Sequence, residues 1–436
     1  MTSLSPRVPH GSRASGPVSD PESKSPAPHS PPAALWSSTL GGARMSELLV
    51  ARVRIEGMHD GDDAPTFFLR KALDAFPPYL PGKPAREVPG LTAYKLASNE
   101  QAAPPLPEVL DAIAEAGREP RFYPDTFGTV LIGELSRLLD RPRDWFILGT
   151  GSSELINAIV QATCDDGDEA IYPWPSFEMY PQVTGMAAAR RLEIPLTADA
   201  RLDLPAMAAA FSERTRLVFL CSPNNPTGPA LRHAELEEFM RQVPAGVIVV
   251  LDEAYLEYVT VPDAADGLEL QRRWPNLVLL RTFSKAHGLA GMRIGYAVAH
   301  PRVIEALTKT VMPFGVSAAA QMAALASLRC ADAVRTRAAA LSARRDQIAQ
   351  ELRDLGYRVP EAQGNFVWLP LAEHSGAFED YCADHALSVR NLDDGVRVTI
   401  GEEPGLQRFL GLAREFRGRI PEGHPALADV VVPGRA

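Results

Sequence analysis

From position 146 onward, short apolar runs rich in β-branched residues alternate with helical stretches, the runs falling at 146–149, 170–172, 217–221, 247–251, 277–281 and 294–298. Runs this short and this continuously apolar suit strands buried on both faces. Their alternation with helices predicts a mostly parallel sheet covered by helices on each side. Ligands of such sheets sit at the carboxyl ends of the strands. Chemically loaded residues follow four of the runs directly, at 149–153, 222–228, 252–255 and 282–285. The topology therefore gathers them on one edge.

After Pro313 the pattern changes. Long Ala/Leu/Arg helices (about 331–355) lead to an apolar run at 365–369, a further helix, and two short strands near 387–390 and 396–400. The expected fold class is α/β, with a large, mostly parallel sheet domain and a smaller C-terminal α+β domain. Residues 1–44 hold 8 Pro and 10 Ser with almost no apolar periodicity, a composition that cannot offset the entropy of ordering. We expect a disordered tail over 1–64. A transit peptide would avoid both acids and this much proline, and a translation start at Met45 or Met58 accommodates the tail equally well. The expected division is an N-terminal arm with part of the small domain over 65–120, a large domain over 121–315 and the small domain over 316–436. There is no internal repeat at solenoid periods.

A net charge of -10 argues against a nucleic-acid or anionic-membrane partner, since either would favour a basic surface. Small metabolites fit better. The longest apolar stretches fall far short of the roughly 20 residues of a membrane helix, so no bilayer span is expected. Four widely spaced cysteines without a CxxC pair read as reduced, mostly core thiols of a cytoplasmic protein. No metal site is expected.

Four stretches carry chemistry. In residues 279–296 a strand ends in hydroxyl residues and Lys285, followed by Gly288, Gly291 and Arg293. A lysine at a strand end among apolar neighbours has its ammonium disfavoured, which makes the neutral amine available for imine formation. Arg293, eight residues on, supplies a fixed fork for a phosphate, with Thr282 and Ser284 as hydroxyl donors. Alone, Ser-Lys beside glycines is more often an ordinary loop. The second stretch, 247–255, is an apolar strand ending in Asp252. Burying that carboxylate is costly without a cation, and a protonated pyridine nitrogen is such a partner. At ~4 Å and an effective dielectric of ~20 the pair is worth ~4 kcal/mol. Tyr255 lies three residues further on. A metal ligand in a nucleotide hydrolase is the competing assignment for Asp252, but the chain lacks GxxxxGK[ST].

The third stretch, Ser-Pro-Asn-Asn-Pro-Thr-Gly (222–228), locks a turn and presents amide donors at a strand end. The fourth, Gly-Thr-Gly-Ser-Ser-Glu (149–154), opens a helix near Ser152, whose free N–H groups and serine hydroxyls form a phosphate site without a basic residue. Either would be unremarkable by itself.

In this order, and with Ser-Phe-Glu-Met-Tyr at 176–180, these stretches resemble the class-II branch of fold-type I aminotransferases, which use pyridoxal 5′-phosphate. The resemblance is closest to the histidinol-phosphate and the aromatic amino acid (phenylalanine) aminotransferases, and it runs from about 72 to 416. It implies Lys285 as Schiff-base lysine and proton shuttle, Asp252 on the pyridine nitrogen, and Asn225 and Tyr255 on the phenolic oxygen. Phe177 would stack on the ring, and Ser152, Ser153, Thr282, Ser284 and Arg293 would hold the phosphate. Tyr123 matches a tyrosine that reaches the phosphate from a partner subunit, which implies a homodimer with shared sites. Tyr79, Asn99 and Asn365 match substrate-side positions. Arg397 alternates with apolar residues and by pattern alone would face solvent. By resemblance it clamps the substrate carboxylate or phosphate, with Arg390 as a second arginine that helps bind a phosphate. Two departures occur: Asn-Glu-Gln-Ala replaces the usual Asn-Glu-Asn-Pro at 99–102, and His287 stands where an aromatic residue is usual.

The expected activity is ping-pong transfer of an amino group from an aromatic amino acid to a 2-oxo acid, 2-oxoglutarate. The stretches 313–318 and 365–371 look more like the aromatic branch. Histidinol phosphate is the alternative donor, followed by a decarboxylase of phosphorylated amino acids and a catalytically silent regulator.

Overall fold

The computed structural model describes residues 68–76 and 78–428. The expected tail and the candidate starts Met45 and Met58 lie outside the described residues. Everything below concerns the compact unit that begins at Leu69.

Eight strands precede position 300: β1 (Tyr94–Lys95), β2 (Phe146–Gly149), β3 (Glu169–Trp174), β4 (Arg190–Pro195), β5 (Thr215–Cys221), β6 (Ile248–Asp252), β7 (Leu277–Thr282) and β8 (Gly295–Val298). Seven of them form one sheet in the order β2-β8-β7-β6-β5-β3-β4. The steps from β4 through β3, β5 and β6 to β7 are parallel, and β8 runs antiparallel to both β7 and β2. The expected large, mostly parallel sheet is therefore present. β4 falls outside the expected runs because it is an edge strand, exposed at Arg190, Arg191, Glu193 and Pro195. Half-solvated strands lack the continuous apolar run that marks a central one.

Side chains of the central strands alternate between two apolar layers. Val218, Leu220, Val249, Leu251, Leu277 and Leu279 pack on one face. Leu217, Phe219, Val250, Val278 and Leu280 pack on the other. This is the period of two that a strand imposes, and each fully buried Leu or Phe contributes about 1.5–3 kcal/mol.

The C-terminal part adds helix Ala331–Asp354, β9 (Phe366–Leu369), helix Ser375–Ala383, β10 (Leu387–Ser388), β11 (Arg390–Asn391), β12 (Val396–Thr399) and helix Glu403–Arg417. β11, β12 and β9 make an antiparallel sheet around a separate apolar cluster, and β10 pairs with β1. The single strand expected near 387–390 is thus two, because the chain leaves one ladder at Ser388 and enters another at Arg390. Two helices also sit elsewhere than their sequence segments suggest. Helices Pro107–Ala116 and Ala318–Arg329 pack on each other, and Val109, Ala320, Ala323 and Ala324 belong to the large sheet's cluster with Phe146 and Leu148. Small alanines allow that close approach, which a boundary drawn from helix length does not register.

Candidate active site

β5, β6 and β7 are parallel and in register, Cys221 opposite Asp252 and Asp252 opposite Leu280. Their carboxyl ends therefore lie side by side, and β2 ends on the same edge. A cavity of about 380 Å³ opens there. Ser152, Ser153, Phe177, Asn225, Asp252, Tyr255, Thr282, Ser284, Lys285 and Arg293 all line it. Ten residues named from the sequence thus meet in one space.

The acid is buried. Asp252 is 2% exposed, and burial pushes its carboxyl up to about 6, opposed by the Tyr180 hydroxyl donating to Oδ2 at 2.9 Å and the Ala254 N–H donating to Oδ1 at 3.2 Å. Two neutral donors do not hold a buried carboxylate fully ionised. The arrangement accommodates a cation.

Lys285 stands across the cavity. Its Nζ donates to the Asn99 carbonyl at 3.2 Å, and burial, reinforced by the nearby Arg397 guanidinium, holds its ammonium down to about 7. A neutral, nucleophilic amine is therefore accessible near neutral pH. Tyr255 is buried, which pushes its phenol above the usual range. Asn99 Nδ2 donates to Tyr255 Oη at 2.9 Å, so the phenol keeps its own O–H to give.

The third corner suits an anion. Helix Ser152–Thr163 begins at the cavity with no side chain capping its first N–H groups. Gly151 precedes it at φ +81°, and a Cβ there would lie 2.6 Å from Arg293 Nη2. Only glycine lets the guanidinium come this near the helix start. Arg293 itself has φ 55°, a left-handed conformation unusual for a non-glycine residue. The Thr282 hydroxyl donates to Ser284 Oγ at 2.9 Å beside it.

Arg397 is not solvent-facing. It is 7% exposed, and its Nη1 donates to Asn225 Oδ1 at 2.5 Å and its Nη2 to the Ala97 carbonyl at 2.7 Å. A guanidinium only donates, so the contacted Asn225 atom is the oxygen and the amide's N–H groups remain for the cavity. Arg397 Nε is buried without a partner. Asn365 is fully buried, donating to the Asn99 carbonyl at 3.1 Å, with Oδ1 unpartnered. Asn99, at φ 53°, thus joins Lys285, Asn365 and Tyr255 through one backbone and one side-chain group.

Of the named residues, Asn99, Asn365 and Arg397 are buried behind the lining, and Tyr79, Tyr123 and Arg390 stand further apart. Tyr79 is 46% exposed and Tyr123 is 83% exposed, with its ring 4.8 Å from that of Phe314. Arg390 is held by Glu178 and by the carbonyls of Leu80 and Pro81. Sequence reasoning missed Tyr180, the hydroxyl on Asp252, although Tyr180 lies within the 176–180 stretch; its 72-residue separation from Asp252 left no local signal. It also missed Glu100 and Cys221, which line the cavity. Burial pushes the Cys221 thiol up to about 12. It stays protonated.

The family model for class I and II aminotransferases matches residues 92–424. The chain belongs to this family. Among similar proteins, an aromatic amino acid aminotransferase of Streptomyces coelicolor is 48% identical over 353 residues, covering 81% of this chain and 98% of the relative. Another, of Rhodococcus jostii, is 49% identical over 364 residues, covering 83% and 98%. A crystal structure of histidinol-phosphate aminotransferase from Sinorhizobium meliloti, in complex with pyridoxal-5′-phosphate, matches with a TM-score of 0.70 at 27% identity, covering 76% of this chain and 92% of that one. This aminotransferase is a pyridoxal-phosphate-dependent transaminase of fold-type I.

The cavity's own chemistry fits that cofactor. It offers a partly neutral amine for an aldehyde, a buried carboxylate lacking a cation for a pyridinium, and an uncapped helix start with Arg293 for a phosphate. Elsewhere among the described residues, Glu373, His374 and His424 lie close enough to share an ion. His424 Nδ1 accepts from the Ala426 N–H, which puts the ring's proton on Nε2, facing Glu373 at 3.3 Å. No helix among the described residues is long and apolar enough to cross a membrane.

Proposed function

We propose that this transaminase moves the amino group of an aromatic amino acid to a 2-oxo acid, 2-oxoglutarate. The observation that carries it is that relatives 44–49% identical, aligned over 96–99% of their own lengths, bear the name aromatic amino acid aminotransferase. Histidinol phosphate is the second reading, favoured by the Sinorhizobium meliloti structure.

Bound pyridoxal phosphate supplies an electron sink for the pair left when a Cα proton departs. The chain's residues do the rest. Lys285 holds the cofactor at rest and moves the proton at the substrate's Cα, a task matched to an amine that titrates near 7. Asp252, oriented by Tyr180, keeps the ring nitrogen protonated. Asn225 and Tyr255 serve the phenolic oxygen, Phe177 the ring face, and Ser152, Ser153, Thr282, Ser284 and Arg293 the phosphate. Arg397 anchors the substrate carboxylate, with Asn99, Asn365 and Tyr79 alongside.

The same reading includes a homodimer in which Tyr123 serves the neighbouring subunit's phosphate site. Its exposure supports this, as does that of Phe122 beside it in the chain and of Phe314, whose ring it meets. Buried free thiols at Cys164, Cys221 and Cys382 suit the cytoplasm. Spectral half-transamination with phenylalanine, tyrosine and histidinol phosphate, compared side by side, tests the donor. Faster conversion with histidinol phosphate would overturn the aromatic assignment.

A further inference from the structure

Arg390 and Arg397 face each other directly across the β11–β12 ladder. Residues opposed in an antiparallel pair share one face of the sheet, and like charges there repel. Both guanidinium groups therefore point to the same side, the side on which Arg397 meets Asn225 and the cavity. A pocket with two free arginines would take a substrate with two anionic ends.

Arg390 is not free. Its Nη2 donates to Glu178 Oε1 at 2.8 Å, to Glu178 Oε2 at 3.0 Å and to the Leu80 carbonyl at 2.6 Å, and its Nη1 donates to the Pro81 carbonyl at 3.2 Å. The pair is sheltered, with 11% of the Arg390 side chain and 29% of the Glu178 side chain exposed. Glu178 follows Phe177, which lines the cavity, and Arg390 grips the segment that carries Tyr79. The second cation, on the same face of the sheet as Arg397, is thus neutralised.

We propose that Glu178 is a specificity-determining positioning residue: by holding Arg390 as a neutral pair, it makes the side-chain subsite favour an uncharged substrate group over a second anion. This rests on the reading of Arg397 as the carboxylate anchor. An aromatic donor then leaves the pair intact, whereas the second carboxylate of a dicarboxylic acid, the acceptor 2-oxoglutarate among them, must compete with Glu178 for the guanidinium and binds more weakly for it.

The test is calorimetric titration of the cofactor-loaded enzyme with glutarate, which carries two carboxylates, and 3-phenylpropanoate, which carries one. Glu178→Gln should tighten glutarate by about tenfold to a hundredfold, the range of one charge-assisted hydrogen bond. It should change 3-phenylpropanoate by no more than about fivefold, the reach of a screened charge. Adding Arg390→Gln to Glu178→Gln should abolish the glutarate gain. If both ligands tighten equally, Glu178 acts only through the general field and the proposal fails; it fails equally if the gain survives loss of Arg390. Should Glu178→Gln not fold, Glu178→Asp must move the ratio in the same direction by a smaller factor, and an unmoved ratio overturns the idea. A wild-type preference for histidinol phosphate over phenylalanine would sink the donor assignment, whereas the role of Glu178 stands or falls on the glutarate ratio alone.

Discussion

Asp252→Asn should stabilise the cofactor-free protein and cripple the enzyme, and both effects follow from the surroundings of one carboxyl group. In the folded chain that carboxyl titrates at about 6, against an ordinary 3.8, chiefly because it is buried. That rise corresponds to roughly 3 kcal/mol, each tenfold change in proton affinity being worth ~1.4 kcal/mol. The sign follows from which form the fold prefers. A folded pKa above the unfolded one favours the protonated form, so there is no penalty below pH ~4, a growing one between ~4 and ~6, and the full cost above that. Asparagine never ionises; its Oδ1 can still accept from the Ala254 N–H while its Nδ2 donates to the Tyr180 hydroxyl oxygen. One unpartnered amide N–H takes back ~1 kcal/mol. Urea denaturation of the cofactor-free proteins should therefore show a stability gap of ~2 kcal/mol in favour of the variant at pH 7, opening between pH 4 and 6. The rate effect runs the other way: losing a charge partner worth ~4 kcal/mol slows the first half-reaction by about a thousandfold. A gap that does not vary with pH, or a half-reaction within tenfold of wild type, would refute the assignment of Asp252 as the buried partner of the ring nitrogen.

Lys285→Ala should abolish steady turnover together with the visible absorbance of the covalently held cofactor, and survival of either removes the lysine from its role. Arg397→Ala should raise KM for both amino and oxo acids by about tenfold to a hundredfold, the scale of a lost charge-assisted bond; an unchanged KM would mean that another group holds the carboxylate. Mixing Tyr123→Ala and Lys285→Ala subunits should restore part of the activity, because a mixed dimer regains one complete site. No restoration in verified mixed dimers would mean self-contained subunits.

The central strands and the residues that follow them were legible because their signals are local. A strand buried on both faces must be apolar throughout, and a polar residue at its carboxyl end has few reasons to be there other than a ligand. Asp252 announces itself in this way, whereas Lys285 and Ser152, unremarkable alone, gain their meaning from following neighbouring strand ends. Edge strand β4 did not, since four of its six residues meet water. Nor did the helices Pro107–Ala116 and Ala318–Arg329, whose alanines would suit packing against either sheet.

Long-range pairing is what the chain's order leaves open. Periodicity along β12 put Arg397 toward solvent, yet Arg397 lies under Asn225, 172 positions away, and depresses the titration of Lys285. Tyr180 reaches Asp252 across 72 positions, and Glu178 claims Arg390 across 212. The amino-acid sequence alone determined the sheet, the family resemblance and the identity of the residues gathered at its edge, because backbone period and strand-end chemistry act within a few residues. Only the tertiary structure decided which of the two arginines is left with an unmet donor and which is neutralised. That choice rests on distances between segments the chain order does not fix, and on burial, which makes a few ångströms count.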